Sequence, residues 1–147
     1  MKQNEMFGEA KWVCGGNFPI LRSHFTVKGV KKAMLRVLGL GFFHCYINGK
    51  EVTEDAFLPL STDYEARDNY PTFETVTGHR IYVPEYDITS LLKEGENTIA
   101  VLYGGGWYTF EDAKFGDAKA IYRIVADTED GIQEFVSSEA DKIGKSF

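Results

Sequence analysis

The run 86–108, YDITSLLKEGENTIAVLYGGGWY, constrains the fold more than any other stretch, because it fixes a turn, a strand and a loop in immediate succession. Asp87 can cap a helical turn over Ile88-Thr89-Ser90-Leu91-Leu92 by accepting the free backbone N–H groups at its start. Gly95 supplies a left-handed residue to end it. After Glu96-Asn97, the residues Thr98-Ile99-Ala100-Val101-Leu102-Tyr103 read as a buried strand. That strand runs into Gly104-Gly105-Gly106 and the rings of Trp107 and Tyr108. Two readings of this end are open. Either the glycines form a bulge and Trp107 fills the core, or they let the backbone pack closely against something flat.

The rest of the chain repeats the short-strand pattern. Ala10-Lys11-Trp12-Val13-Cys14 looks like a first strand. Leu21 to Val27 alternates apolar and polar residues, and Ala33 to Leu40 and Phe42 to Ile47 follow as further strands. Asn48-Gly49 is the strongest hairpin signal, since both residues tolerate the positive φ of a type I′ turn. Residues 53–69 lapse into polar loop, and Gly78-His79 turns the chain into Arg80-Ile81-Tyr82-Val83. Ala120 to Ala126 and Gln133 to Val136 form a second hairpin around Glu129-Asp130-Gly131. About eight to ten short strands and a single turn of helix predict an all-β domain, a jelly-roll-like β-sandwich with one short helical turn. The sandwich is expected over 1–140, with 141–147 as the start of a linker to a following domain.

A chain of 147 residues is the size of one domain. Its net charge of −6, with no basic cluster, argues against nucleic acid as a partner. No apolar run is long enough to span a membrane, and the N-terminal residues lack an apolar signal core. A cytoplasmic location follows if Met1 is the native start. Cys14 and Cys45, each beside apolar residues, suit buried reduced thiols; a single disulfide is the alternative.

The sequence carries no GxSxG, HExxH or phosphate-loop motif, and His24, His44 and His79 share no ligand spacing. Glu54-Asp55, Asp63 and Glu111-Asp112 fall in expected loops, as do Tyr64, Tyr70, Trp107, Tyr108 and Phe110. Sugar rings pack a C–H face on an aromatic ring while their hydroxyls bond to carboxylates, so this supply suits a carbohydrate-binding loop surface.

An ordered set of motifs goes further. Trp12-Val13, Leu21-Arg22-x-x-Phe25, Gly39-x-Gly41-Phe42-Phe43, Tyr46-Ile47-Asn48-Gly49 and Thr62-Asp63-Tyr64 are followed by Asp87-Ile88-Thr89, Gly95-Glu96-Asn97, Gly106-Trp107-Tyr108 and Phe115-Gly116-Asp117. Together they resemble the N-terminal β-sandwich module of bacterial α-L-rhamnosidases, glycoside hydrolases of family 78. The resemblance implies a module placed ahead of a catalytic (α/α)6 barrel, which holds the general acid and base. The chain alone is then not an enzyme, requires no cofactor, and has that catalytic domain as its partner. In some relatives the module is a calcium-dependent, rhamnose-binding one. The matching positions here are Asp55, Trp107, Tyr108 and Glu111 for rhamnose or a rhamnose-bearing glycan, and Glu54 and Asp55 for calcium. The loop after Tyr108, TFEDAKFGD, is short and lacks the Gly and Asn residues of the calcium-binding version. A domain that buttresses the barrel is therefore the first implication and sugar binding the second.

Overall fold

Phe43, Cys45 and Ile47 point to one side of β4 (Phe42–Ile47), and Phe42, His44 and Tyr46 to the other, so this strand buries one face. The same period places Asn97, Ile99, Val101 and Tyr103 inside on β7 (Gly95–Gly104). A sheet apolar on one face must cover it with another layer. The computed structural model, which describes residues 3–15, 19–56, 58–59, 64, 81–109 and 115–145, shows that layer to be a second sheet. The first sheet runs β10 (Lys142–Lys145), β2 (Pro19–Val27), β7, β4, β5 (Lys50–Glu51). In the second, β1 (Val13–Cys14), β8 (Lys119–Thr128), β3 (Val30–Leu40) and β6 (Glu85–Asp87) follow in order, and β9 (Gly131–Val136) also pairs with β8. All pairings are antiparallel.

Leu21, Leu35, Val37, Ile47, Ile99, Val101 and Ile124 are sealed between the sheets. The Tyr103 hydroxyl donates to the Val13 carbonyl at 3.0 Å and ties the two layers together. The expected β-sandwich is present. Its helical content is larger than expected: α1 (Gln3–Phe7) and two 3-10 turns, Thr89–Leu91 and Gly106–Thr109, replace a single turn. Helix α1 is too short to be stable alone; it brings Phe7, 2% exposed, onto a second apolar cluster. The segment read as the start of a linker contains an edge strand, Lys142–Lys145, whose backbone pairs with Arg22–Pro19 of β2. Its pairing partner, not its own pattern, makes it a strand. Ile81-Tyr82-Val83, which the sequence places after a turn, precede the strand Glu85–Asp87 without joining it, while Arg80 lies outside the described residues.

The organising run closes as a chain of hydrogen bonds. Ile88 N–H donates to the Ala33 carbonyl at 3.0 Å, and Ala33 N–H donates to the Thr89 hydroxyl at 2.9 Å. Thr89 then gives both its backbone N–H and its hydroxyl to Asp87 Oδ1, at 3.0 and 2.6 Å. A threonine side chain thus stands in for the next rung of the β3–β6 ladder, and Ile88 drops into the core at 0% exposure. The turn ends at Leu91 with Leu92 already extended, so Gly95, expected to stop it, instead uses its φ of +86° to open β7. Asn48 and Gly49 take φ +52° and +79°, as a type I′ turn demands.

Side-chain amides join this turn to the hairpin. Asn48 donates from Nδ2 to the Leu91 carbonyl at 2.9 Å and to Asn97 Oδ1 at 2.8 Å, and accepts from Thr98 N–H at 3.0 Å. Asn97, wholly buried, accepts from Lys93 N–H at 3.0 Å and donates to the Lys93 and Gly95 carbonyls at 2.8 and 3.0 Å. Both cysteines are free. Cys45 lies in the core, where burial pushes its thiol far up. Cys14, expected to be buried, instead faces outward, because Val13 takes the inward position on β1.

The Thr89 hydroxyl, followed by its backbone N–H, holds Asp87 below the ordinary aspartate value of 3.8. A carboxylate lowered on folding stabilises above its unfolded pKa, and that stability is lost as pH falls through the folded value. The melting-temperature gap between wild type and Asp87→Ala is therefore expected to hold steady from pH 7 to about 5 and to shrink below about pH 4. A gap unchanged at pH 3 would refute the Asp87–Thr89 assignment.

Candidate functional site

Two closely approaching backbones shape the end of the sandwich where β7 stops. A side chain at Gly41, φ +116°, would run into the Gly104 carbonyl, and one at Gly106 would enter the Phe42 ring. The glycines therefore answer a packing demand that no other residue meets. Tyr108 and Thr109 N–H groups both donate to the Gly105 carbonyl, at 2.9 and 3.2 Å, and close the 3-10 turn.

This turn sends its two rings opposite ways. Tyr108 is 7% exposed and packs with Phe7, Leu38, Leu40 and Ile121 on the outer face of the β8 sheet. Tyr64 meets Tyr108 edge-on at 4.9 Å between centroids and Phe115 at 5.4 Å, while the Tyr64 hydroxyl accepts from Gly41 N–H at 3.1 Å. Phe115 N–H donates to the Tyr108 carbonyl at 3.0 Å. A side chain at Gly116 would meet the Tyr108 hydroxyl at 2.7 Å, which explains a glycine there. Lys119 holds its ammonium 5.4 Å from the Trp12 ring centroid and 5.9 Å from that of Tyr108, within cation–π range. Trp107, by contrast, is 69% exposed.

The remaining expected site residues divide. Glu54 and Asp55 are exposed on the segment after the Asn-Gly hairpin. That segment leaves β4 with Val52 N–H on the Cys45 carbonyl and returns where Phe43 N–H meets the Leu58 carbonyl. Asp55 N–H donates to the Thr53 hydroxyl at 3.1 Å. Burial first, then the charge of Asp55, raises the phenol of Tyr86 on β6. Asp55 thus belongs to the lateral edge of the sandwich, and Trp107 and Tyr108 to its end. Glu111 lies outside the described residues. Among the described residues no group of three or more His, Cys, Asp or Glu side chains is placed to hold a metal ion. Adjacent exposed carboxylates at 54 and 55 do not make the six- to eight-oxygen cage that calcium prefers, so the described residues do not fit that ion. Phe115 and Lys119 escaped the sequence reading as members of the aromatic cluster. The outward alternation of Lys119 on β8 and the Phe115-Gly116 pair were the signals for them.

Fold and turn define a β-sandwich module that presents an aromatic ring at one end. The chain belongs to the alpha-L-rhamnosidase N-terminal domain family, whose sequence profile matches residues 28–142. The catalytic domain of such a glycoside hydrolase is not among these residues. An alpha-L-rhamnosidase of Alteromonas sp. (strain LOR) is 36% identical over 113 residues, which are 74% of this chain and 11% of that protein. The chain therefore spans about a tenth of the length of the curated relatives it matches. In solved structures, the alpha-L-rhamnosidase of Aspergillus terreus superimposes with TM-score 0.78 at 23% identity, over 99% of this chain and 17% of that one. The lectin from Pleurotus ostreatus in complex with GalNAc shares the fold at TM-score 0.54 and 15% identity, over 96% of this chain and 34% of that one.

Burial predicts opposite outcomes for the paired rings. Tyr108→Ala should cost about 3–5 kcal/mol by opening a cavity against Leu38 and Ile121, whereas Trp107→Ala should stay within about 0.5 kcal/mol. Urea unfolding of the two variants checks this; equal losses would contradict the division of roles.

Proposed function

We propose that the chain is a non-catalytic accessory domain of an α-L-rhamnosidase, one that buttresses the catalytic domain and assists substrate recognition. Family membership and the small share of the relatives' length support the accessory role. The observation that carries the contact role is Trp107, 69% exposed on a turn whose neighbour Tyr108 is anchored in an apolar cluster. An exposed ring becomes a mark of an interaction surface when it joins a contiguous apolar patch, and Gly106, beside Trp107, packs against the partly exposed Phe42 ring. A rigid turn also lowers the entropy cost of whatever contact it makes. Deleting the module from the parent enzyme is expected to lower the thermal stability of the catalytic domain.

Rhamnose binding is the second reading, favoured by the same exposed ring and by the shared fold of a lectin solved with GalNAc. Stacking on Trp107 with a hydrogen bond from the sugar to a neighbouring carboxylate would hold a monosaccharide at roughly millimolar affinity, about 4 kcal/mol. Trp12→Phe leaves Trp107 as the single tryptophan of the chain. Titrating that variant with rhamnose, with and without calcium, is expected to leave its fluorescence unchanged if the ring serves domain contact. A saturable shift would transfer the role of Trp107 to the sugar.

A further inference from the structure

The outer face of the first sheet changes character along its length. Register places Phe42 opposite Gly104, then Ile20, Leu102 and His44 in one row, then Arg22, Ala100, Tyr46 and Glu51 in the next. Beyond these come His24 and Thr98, with His24 3.6 Å from Glu96. The face is apolar over Ile20, Leu102 and Phe42, with the His44–Glu51 pair at 2.6 Å flanking that patch, and charged at the His24 end. A solvated antiparallel sheet face is ordinarily polar throughout. The second sheet covers its own outer apolar residues, Leu38, Leu40 and Ile121, with Phe7, Trp12 and Tyr108. Ile20, Phe42 and Leu102 keep part of their surface in solvent.

We infer that the Ile20–Leu102–Phe42 end of this face, continuous with Trp107, is the docking surface for the domain that follows the module in its parent chain. Two observations choose that occupant. Strand β10 is the edge of this same sheet, and its Lys145 pairs with Pro19, one residue from Ile20. The family match ends at 142, where β10 starts, and from there the strand runs from beside Arg22 to beside Pro19, toward the apolar end of the face. In two of the relatives the matched residues are 11% of the protein, so a following domain tethered there meets this patch at high effective concentration. Trp107 lies three residues beyond Gly104, the register partner of Phe42, at that end. The inference rests on the accessory-domain reading for the existence of a following domain, but not on buttressing.

Cysteine accessibility tests it. In a Cys14→Ser background, where Cys45 stays buried, Leu102→Cys is labelled with a maleimide in the 147-residue chain and in the full-length parent, with peptide-resolved mass spectrometry. Labelling at 102 is expected to slow about tenfold or more in the parent, since packed interface cores exclude reagent as interiors do. Glu96→Cys, at the charged end, should label alike in both. Ile20→Cys reads the same row if Leu102→Cys does not melt cooperatively. Equal labelling of the row in both contexts would overturn the proposal. Slowed labelling in a parent whose stability survives deletion of the module would uphold the surface and refute buttressing.

Discussion

The Asn97 amide, wholly buried at the start of β7, holds together segments that the chain keeps far apart. Its oxygen accepts from Asn48 and from Lys93 N–H, and its nitrogen donates to two carbonyls of the loop it belongs to. Each buried amide group left without a partner would cost about 1–3 kcal/mol. The loop 93–95 and the Asn-Gly hairpin are consequently coupled. Asn48 completes the clamp by reaching the Leu91 carbonyl at the end of the 3-10 turn. With β7 fixed at this end, the strand delivers Gly104 against Gly41 at the other, where the aromatic turn begins.

The motifs that identify the family are therefore mostly scaffold. Tyr-Ile-Asn-Gly, Asp-Ile-Thr and Gly-Glu-Asn form the amide clamp with its Asp87–Thr89 extension. Gly-x-Gly-Phe, Tyr64, Gly-Trp-Tyr and Phe-Gly-Asp form the aromatic cluster around Tyr108. Of these residues, Trp107 is the most exposed ring, on the turn whose Gly106 packs against the Phe42 ring of the first sheet.

How much of this was legible depended on distance along the chain. The Asn48-Gly49 turn and the bond from Asp87 to Thr89 are local, and the sequence announces them. The buried alternation of β4 and β7 was equally plain. The Asn48–Asn97 contact spans 49 positions and no local pattern encodes it. Strand β10 exists through its pairing with β2, and α1 through the burial of Phe7, so both escaped a reading by propensity. Trp107 and Tyr108 looked equivalent because adjacent rings on an unassigned turn have no preferred face. A 3-10 turn, not a strand, sends them apart, and Asp55 bonds locally to Thr53 on the segment after the hairpin.

A double-mutant cycle on the clamp tests the account at its centre. Asn48→Ala, Asn97→Ala and the double variant are unfolded in urea, and the coupling energy is taken from the cycle. If the two amides form one unit, each single change removes most of what the other would, and the coupling reaches about 1 kcal/mol or more. Losses that add to within about 0.3–0.5 kcal/mol would mean that the hairpin and the Asp-Ile-Thr turn are held independently.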